Sequence, residues 1–456
     1  MLKTIKNAWS IPDLRKKILF TLLIIVVFRI GSVIPVPFLD NNVLGAVMSN
    51  ANDLTSGSSN MIAYLNTLSG GAFSNATLFA MGITPYINSS IIIQLLCVAI
   101  PALERLTKEG EAGRRKIGTI TRYVTVALGL IQGTAYFFYL KNTICEVEGD
   151  YYGKHITVYN EGFSMVFAGI VIVLVFTAGT ALMMWLGEQI NKYGIGNGIS
   201  MLLFAGIVAR LPVTIRTLAA YWQMGLGTGV EGSGQVQFFV FVILWVLIFL
   251  AIIWLITFMQ DSERRIPIQY AKRVVGRKMY GGQSSFLPIK VALGGVLPII
   301  FASSILSIPS TINLFLNVKE GFWKAFFDAF NTSNWLYIVL YFILILMFAY
   351  FYTTIQYNPV EMANNLKSNN GTVPGIRPGA PTAAYIKNIL SRVTLIGALF
   401  LSVIALVPLV FSAATGMHGL SMGGTSIIII VGVALETVKQ LESQMMMMRH
   451  YKGFLD

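Results

Sequence analysis

The chain alternates between long apolar stretches and short polar connections from one end to the other. Ten of the apolar stretches come close to the roughly 20 residues that an α-helix needs to cross the hydrocarbon core of a bilayer. We therefore predict an all-α polytopic membrane protein with ten transmembrane helices. The predicted spans are residues 18–33, 76–100, 117–140, 163–186, 199–215, 236–259, 291–314, 335–355, 389–411 and 424–438.

The composition supports the same class of protein. Of the 456 residues, 55% are hydrophobic and only 12% are charged, whereas soluble proteins carry about 25% charged residues. An intrinsically disordered chain is excluded, because such chains are poor in apolar residues. A scaffold held by disulfides is excluded as well, because the chain has only two cysteines.

The positive charges are distributed unevenly between alternate connections. An even number of spans places both termini on the same side of the membrane. Connections on that side carry 25 of the 33 lysines and arginines, and connections on the other side carry 6. Because positively charged loops are retained in the cytosol, we predict that both termini are cytoplasmic. Loops 260–290 and 356–392 then face the cytosol.

Residues 34–75 lie on the external side and contain no lysine or arginine. Within them, the moderately apolar residues 61–68 are too few to cross a bilayer and are followed by two glycines, Gly70 and Gly71. Two interpretations stay open at this point. The piece is either an amphipathic turn of an external loop or a re-entrant helix, which a membrane accepts only where protein or a water-filled cavity surrounds it.

A weak internal repeat relates the two halves of the chain. The second predicted span contains GITPYINSSI (82–91) and the seventh contains GVLPIIFASSI (295–305). The fifth and tenth spans both open with glycine-rich sequences. Matching spans five apart point in opposite directions, which is the signature of an inverted repeat. We therefore predict two inverted five-helix halves, residues 1–225 and 226–456.

Residues that carry enzymatic chemistry are sparse. The sequence has no GxxxxGK[ST] phosphate-binding loop, and His155, His418 and His450 are scattered without the spacing of metal ligands. Neither cysteine, Cys97 or Cys145, has a partner nearby in the sequence. We therefore predict that the protein is not an enzyme and holds no metal and no cofactor.

The spans also lack the central Asp, Glu or His side chains with which coupled transporters bind ions or protons. Arg29, Arg122, Arg210 and Arg392 lie off-centre and are interpreted as interface anchors. Mid-span positions are aliphatic, and a pathway lined by such side chains can seal by dewetting. A secondary transporter of a small solute, which also uses inverted repeats, stays the alternative, and a structural scaffold is a third class.

Several longer motifs resemble those of the SecY family, the channel subunits of the bacterial Sec protein translocase. The resemblance covers nearly the whole chain and rests on independent motifs in the same order. These are SGGAFSNA (69–76), GITPYINSSIIIQLL (82–96), KEGEAGRRKI (108–117), GEQINKYGIGNGIS (187–200), QYAKRVVGRKMY (269–280), PIIFASSI (298–305), NPVEMANNLK (358–367) and PGIRPG (374–379).

The resemblance implies a channel that conducts unfolded polypeptides across the membrane and releases apolar segments into lipid. It implies a waist ring of aliphatic side chains, which here are Ile83, Ile87, Ile199, Leu203, Ile300 and Ile429. It identifies residues 59–75 as a re-entrant plug that closes the outer funnel. The plug residues carried over are Met61, Ile62, Ala63, Tyr64, Leu65, Leu68, Gly70 and Gly71.

The resemblance further implies a lateral gate between the second and the seventh span. The gate residues carried over are Pro85, Ser89, Ser90, Pro298, Ser303 and Ser304. We expect the glycines and prolines to weaken these two helices, and the paired serines to satisfy the backbone groups that are freed.

In this family the long cytosolic loops dock either the ribosome or the motor ATPase SecA. The basic residues that suit this docking are Arg264, Arg265, Lys272, Arg273, Arg277, Lys278 and Arg377. Because the chain lacks a nucleotide-binding motif, the driving force is expected to come from such a partner. The resemblance also implies the small membrane subunits SecE and SecG, preproteins with signal sequences, contact with membrane lipid, and a place in the bacterial plasma membrane.

Overall fold

The computed structural model is mainly helical. It describes residues 2–51, 66, 69–142, 153–159, 162–225, 236–270, 273–275, 278–280, 284–292, 294–316, 321–330, 334–415 and 424–452.

The helices up to residue 225 pack closely against one another. They are α1 (Leu2–Trp9), α2 (Pro12–Gly31), α3 (Asn41–Ala51), α4 (Thr84–Ala99), α5 (Pro101–Lys108), α6 (Glu111–Asn142), α7 (Gly162–Tyr193), α8 (Gly198–Ala209) and α9 (Leu211–Gly225). Helices α6 and α7 approach through glycines: a Cβ on Gly133 would contact Phe176, and a Cβ on Gly169 would press on the ring of Phe137. Small residues that allow such an approach are typical of helix packing in membranes.

The chain from residue 236 onward combines helices with short strands. The helices are α10 (Val236–Asp261), α11 (Leu297–Leu316), α12 (Phe322–Ala329), α13 (Trp335–Gln356), α14 (Pro359–Ser368), α15 (Ala380–Thr415) and α16 (Gly424–Lys452). The strands are β1 (Glu263–Tyr270), β2 (Arg273–Val275), β3 (Lys278–Tyr280), β4 (Ser284–Lys290) and β5 (Gly371–Thr372).

The strands lie where the sequence predicts only loops. Strand β1 pairs antiparallel with both β4 and β5, and β2 pairs antiparallel with β3. Ile266 and Ile268 of β1 are buried between exposed neighbours, which is the two-residue period of a strand with one covered face. The sheet therefore joins loop 260–290 to loop 356–392.

Each of the ten predicted spans overlaps at least one helix. By length and apolar composition, the described residues contain six helices that can cross a membrane, and a seventh if the bent pair α4 and α5 forms one span. The predicted spans 18–33, 291–314 and 424–438 correspond to α2, α11 and α16. The chain is a multi-pass membrane protein.

Two predicted spans differ from the helices that are present. The second span is predicted from residue 76, but α4 begins at Thr84, and residues 69–83 form consecutive turns. The fifth predicted span consists of two helices, α8 and α9, that meet at Arg210. The first difference arises because hydropathy reports burial, and a buried turn is as apolar as a buried helix. The second arises because Pro212, the second residue of α9, cannot continue the hydrogen bonds of α8.

One apolar core runs through both halves of the chain. Its fully buried side chains include Phe28 of α2, Ile190 of α7, Ile299 of α11 and Tyr341 of α13. The outward surfaces of the long helices are apolar too, and Leu247 of α10 is 58% exposed. Such a surface suits contact with lipid tails, which are as apolar as leucine.

Candidate functional site

The six aliphatic side chains predicted for the waist ring belong to one apolar cluster. They come from elements far apart in the sequence: α4 with the residue before it, α8, α11 and α16. Four of them are buried, and two are half-buried. The buried ones are Ile83, Ile87, Leu203 and Ile429, and the half-buried ones are Ile199 and Ile300.

Four of these six side chains enclose one small cavity. Its volume is about 10 Å³, which is the space of roughly one water molecule. The helices that carry the ring are therefore closed on one another. The residues that line the cavity are Ile87, Leu203, Ile300 and Ile429, together with Thr84, Ser303, Ser304 and Ser307.

A polar cap sets the position of α8 and its two ring residues. The side-chain oxygen Oδ1 of Asn197 accepts hydrogen bonds from the backbone N–H groups of Ile199 and Ser200, at 3.1 and 3.5 Å. The amide oxygen of Asn191 accepts a further bond from Gly198 N–H, at 2.7 Å. Asparagine is among the preferred residues at this position because it satisfies free N–H groups of the first turn. The GIGNGIS motif thus fixes where the helix starts.

The glycine–proline pairs of the repeat start their helices and do not weaken them. Gly82 and Gly295 both lie in the left-handed region, with φ of 57° and 56°. Pro85 and Pro298 are the second residues of α4 and α11, where a proline breaks no helical hydrogen bond. The expectation is therefore wrong for these two pairs. Pro309 in the interior of α11 does remove a helical hydrogen bond and weakens that helix.

The predicted gate helices α4 and α11 form a seam with α6. A mostly apolar cavity of about 240 Å³ lies between them. Thr84 of α4 and Ser307 of α11 line both this cavity and the small one at the ring. The other residues of the larger cavity are Phe73, Ala80, Met81, Asn88, Ile92, Leu128, Ile131, Gln132, Tyr136, Tyr139, Ile308 and Ile312.

Only some of the predicted gate residues lie along this seam. Ser303 and Ser304 line the small cavity, whereas Ser89 turns towards α6, and its hydroxyl lies 2.5 Å from the hydroxyl of Thr125. Ser90 accepts a hydrogen bond from Gln94 of its own helix, at 3.3 Å. On α4 the seam is carried by residues that sequence reasoning missed, Thr84 and Asn88, which are four apart as one face of a helix requires.

The root of the predicted plug is buried and held by hydrogen bonds. The carbonyl oxygen of Asn66 accepts from Gly71 N–H at 2.8 Å, and its Oδ1 accepts from Ser74 N–H at 3.2 Å. The hydroxyl of Tyr136 donates to the carbonyl oxygen of Phe73 at 2.6 Å. Of the predicted plug residues, Gly70 and Gly71 belong to this root. Met61, Ile62, Ala63, Tyr64, Leu65 and Leu68 lie outside the described residues.

Two arginines lie against this root. Arg29 donates a hydrogen bond from Nη1 to the carbonyl oxygen of Gly70, at 3.2 Å. The guanidinium group of Arg210 lies beside Gly71, and its Nε is buried without a hydrogen-bond partner among the described residues. The interpretation of Arg29 and Arg210 as interface anchors is wrong, because both side chains face protein. Arg122 instead pairs with Glu188, at 2.7 Å.

We expect Gly70→Ala to lower the free energy of unfolding by about 2 kcal/mol, since left-handed backbone alone costs an alanine about 1–2 kcal/mol. Gly70 has a φ of 68°, and an added Cβ would lie 2.9 Å from Arg29 Nη1 and 3.0 Å from the Cα of Gly206. Thermal unfolding of the purified protein in detergent measures the change. Gly45→Ala in α3 is the control, because a Cβ there meets open space. Equal unfolding temperatures for the two variants would contradict the prediction.

The two long loops fold into one exposed unit with its own apolar core. Gln269 and Tyr270 at the end of β1 pair with Thr372 and Gly371 of β5. The core of the unit contains Ile266, Ile289, Val373, Ile386, Leu390 and Val393. Arg264 and Arg265 of the first loop and Arg377 of the second therefore belong to one folded unit.

The predicted docking residues differ in their surroundings. Arg264 is exposed, and Arg265 donates from Nε to Glu263 at 2.7 Å. Arg377 is exposed on a tight turn in which Gly375 and Gly379 have φ of 79° and 103°. Arg273 and Lys278 lie in the short strands β2 and β3. Lys272 and Arg277 lie outside the described residues.

Comparison with known proteins identifies the family. A family model described as SecY matches residues 77–438. The chain is 44% identical to the protein translocase subunit SecY of Streptomyces coelicolor, with the whole of both chains covered. The chain belongs to the SecY family. SecY relatives in Halalkalibacterium halodurans and Mycobacterium bovis are 42% and 41% identical, again over the whole of both chains.

Solved structures share the fold. A protein-conducting channel superimposes with a TM-score of 0.59 at 16% identity, covering 96% of each chain. Sec61 in the canine ribosome–channel complex from the endoplasmic reticulum gives a TM-score of 0.55 at 16% identity, again over 96% of each chain. The helix arrangement of this SecY-family chain is thus that of known protein-conducting channels.

Proposed function

We propose that this translocase subunit forms the pore of a protein-conducting channel. The observation that carries the proposal is the small cavity of about 10 Å³, which four ring residues from four helices line together with Thr84, Ser303, Ser304 and Ser307. Aliphatic walls expel water from a constriction, so the closed ring keeps ions out. The same walls offer no directional contact to side chains, so a passing polypeptide of any sequence can separate them.

The same cavity supports a lateral gate. Its wall includes Ser303 and Ser304 of α11 beside Thr84 and Ile87 of α4. A polypeptide held in the ring would therefore contact side chains of both seam helices, α4 and α11. Parting this seam exposes the polypeptide to lipid, and segments that are apolar enough leave the pore sideways.

The driving force is proposed to come from a partner on the cytosolic side. Two structural neighbours, canine Sec61 and the yeast Ssh1 complex, are channels bound to ribosomes. The exposed basic surface made by loops 260–290 and 356–392 suits ribosomal RNA phosphates or an acidic face of SecA. SecE and SecG are proposed as small membrane subunits of the complex, and preproteins with signal sequences as its substrates.

The organisation around the pore is part of the proposal. Residues 1–225 and 226–456 act as two inverted halves hinged between α9 and α10, with the plug of residues 59–75 on the external side. Both termini lie in the cytosol of a bacterium, and the protein lies in its plasma membrane. The positive-inside distribution of lysines and arginines supports this orientation.

Reconstitution tests the proposed function. The purified chain with its small membrane subunits is placed in liposomes, and a preprotein, SecA and ATP are added outside. Protection of the preprotein from external protease is the expected result. Transport of a small solute without any protection of preprotein would instead favour the secondary transporter.

We expect Arg377→Glu to block motor-driven export while the protein stays folded and inserted. An exposed loop charge contributes little to stability, whereas losing a charge pair from an interface costs about 2–5 kcal/mol, which weakens binding at least about thirtyfold. The assay is the same reconstitution. Lys324→Glu, the same charge reversal at an exposed position of α12 outside both loops, is the control. Export by the Arg377 variant equal to that of the control would remove Arg377 from the docking surface.

A further inference from the structure

One lysine joins helix α16 to the last turn of helix α10. The ammonium group of Lys439 lies 2.6 Å from Oδ1 of Asp261, the last residue of α10. It also donates a hydrogen bond to the carbonyl oxygen of Gln260, at 3.2 Å. Carbonyl groups in the last turn of a helix have no partner within the helix, and they attract cations. Lys439 therefore caps α10 through two contacts.

The capped end of α10 is the root of the sheet unit, which consists of strands β1, β4 and β5. Strand β1 begins at Glu263, two residues after α10 ends. The backbone N–H of Val291, directly after β4, donates to the carbonyl oxygen of Ser262 at 3.0 Å. From Val291 the chain continues to α11, which begins at Leu297. Residues 260–262 and 291 therefore connect the sheet unit to both α10 and the gate helix α11.

Helix α16 contacts this root with the face that also bears a ring residue. Ile429, Gly432 and Lys439 follow one another at steps of three and seven, which is one face of a helix. A Cβ on Gly432 would lie 2.9 Å from Nε2 of Gln260 and 2.7 Å from Cγ2 of Val296, the residue before α11. Ile429 lines the small cavity of the ring. The distance from Lys439 to Ile429 is about 15 Å along the helix.

We propose that Lys439 is a positioning residue that couples partner docking on the sheet unit to the ring. The inference rests on the proposed function. A partner that binds the sheet unit displaces its root, and α16 follows because Lys439 holds it against the end of α10. Ile429 then moves relative to the ring residues of α4 and α8, and the ring loosens. Without Lys439 the root moves while α16 keeps its place.

The surroundings of Lys439 separate this role from stability and from docking. The side chains of Lys439 and Asp261 are 39% and 56% exposed, and ion pairs with such exposure contribute little to the free energy of unfolding. The ammonium group is engaged by the end of α10, so it is not a free cation of the basic docking surface. Removing it should therefore leave both folding and partner binding intact.

Separate measurements of binding and export test the proposal. The full-length protein with its small membrane subunits is reconstituted in liposomes, as the native chain and as Lys439→Met. The dissociation constant of SecA is measured first, and then the rate of preprotein protection at saturating SecA and ATP. We expect unchanged binding and a rate about fivefold lower, the lower end of typical couplings between two sites. An unchanged rate, or a loss of SecA binding that accounts for the lower rate, would overturn the proposal.

Further variants separate coupling from misfolding. Lys439→Arg should keep the native rate, because a guanidinium group also pairs with the carboxylate and caps the helix. Asp261→Lys added to Lys439→Asp should recover part of the rate that Lys439→Asp alone loses, since it restores an ion pair. Lys116→Met is the control, because it removes an exposed lysine that pairs with Glu109 at 3.4 Å, away from α10 and α16. An equal loss in the control, or no recovery in the exchanged pair, would contradict the role of Lys439.

The native chain separates failure of this proposal from failure of the proposed function. A native chain that protects no preprotein refutes the proposed function, and the coupling fails with it. A native chain that exports, beside a Lys439→Met variant that exports at the same rate, refutes the coupling alone.

Discussion

Replacing Ile87 and Ile300 together by asparagine is expected to make the closed channel conduct ions. Both side chains line the cavity of about 10 Å³ that the ring encloses. An asparagine amide that loses its water there without a new hydrogen bond costs about 1–3 kcal/mol, so the variant keeps water in the constriction. That free energy corresponds to a rise of about fivefold to 150-fold in the hydrated fraction of closed channels. Conductance across planar bilayers, without preprotein, is the measurement.

The matched control for this experiment keeps the ring aliphatic. Ile87→Leu with Ile300→Leu changes shape at nearly constant volume, and such exchanges usually cost less than about 1.5 kcal/mol. The leucine variant should stay as tight as the native protein. A closed-state conductance in the asparagine variant no higher than in the leucine variant would show that the seal lies elsewhere. Ile83, which is buried next to α4 but does not line the cavity, is expected to leak less when it is replaced.

The sequence predicts the spans well because lipid imposes a simple rule. Every backbone group in the membrane must be satisfied within its own segment, so apolar length alone predicts a helix. The rule does not locate where a helix starts inside an apolar run. Thr84 was therefore missed as the start of α4, since Ala76 and Phe79 in the preceding turns are as buried as the helix.

For the candidate site, the motifs predict which residues take part but not the direction in which each side chain points. The family motifs imply the six residues of the proposed ring, and all six side chains belong to one apolar cluster. The direction of each side chain does not follow from a motif. In SSI (89–91), Ser89 faces Thr125, whereas Thr84 and Asn88, on a different face of α4, line the seam. Counting in steps of four from Thr84 would have found this face.

Tertiary contacts account for the features that the sequence left open. Arg29 and Gly70 are 41 residues apart, and only the folded chain shows that the guanidinium binds the glycine carbonyl. The sheet between β1 and β5 joins residues more than 100 positions apart. Charge counting placed loops 260–290 and 356–392 on the same side of the membrane, but it contains no information on their pairing.

The largest effect on membrane insertion is expected from a cysteine bridge across the α4–α11 seam. Thr84 and Ser307 line both cavities at the seam, and a disulfide requires Cα atoms about 4.4–6.8 Å apart. We expect Thr84→Cys to bridge with Ser307→Cys or Ser304→Cys under mild oxidation, once Cys97 and Cys145 are replaced. The combination of Ser89→Cys with Ser307→Cys is the control, because Ser89 faces α6 and should not bridge.

The bridged channel should fail to release apolar segments and should recover on reduction. Each Leu, Ile or Val at the membrane centre lowers the free energy of inserting a segment by about 0.3–0.6 kcal/mol. A central Asp, Lys or Arg raises it by about 2.5–3.5 kcal/mol. Sorting by this difference requires the segment to reach lipid, which a covalent link across the seam prevents. A series of segments with increasing leucine content, scored by resistance to alkaline extraction, measures the release. The native channel should show a threshold in this series, and the bridged channel should show none. Release at the native threshold with the bridge intact would place the gate between other helices.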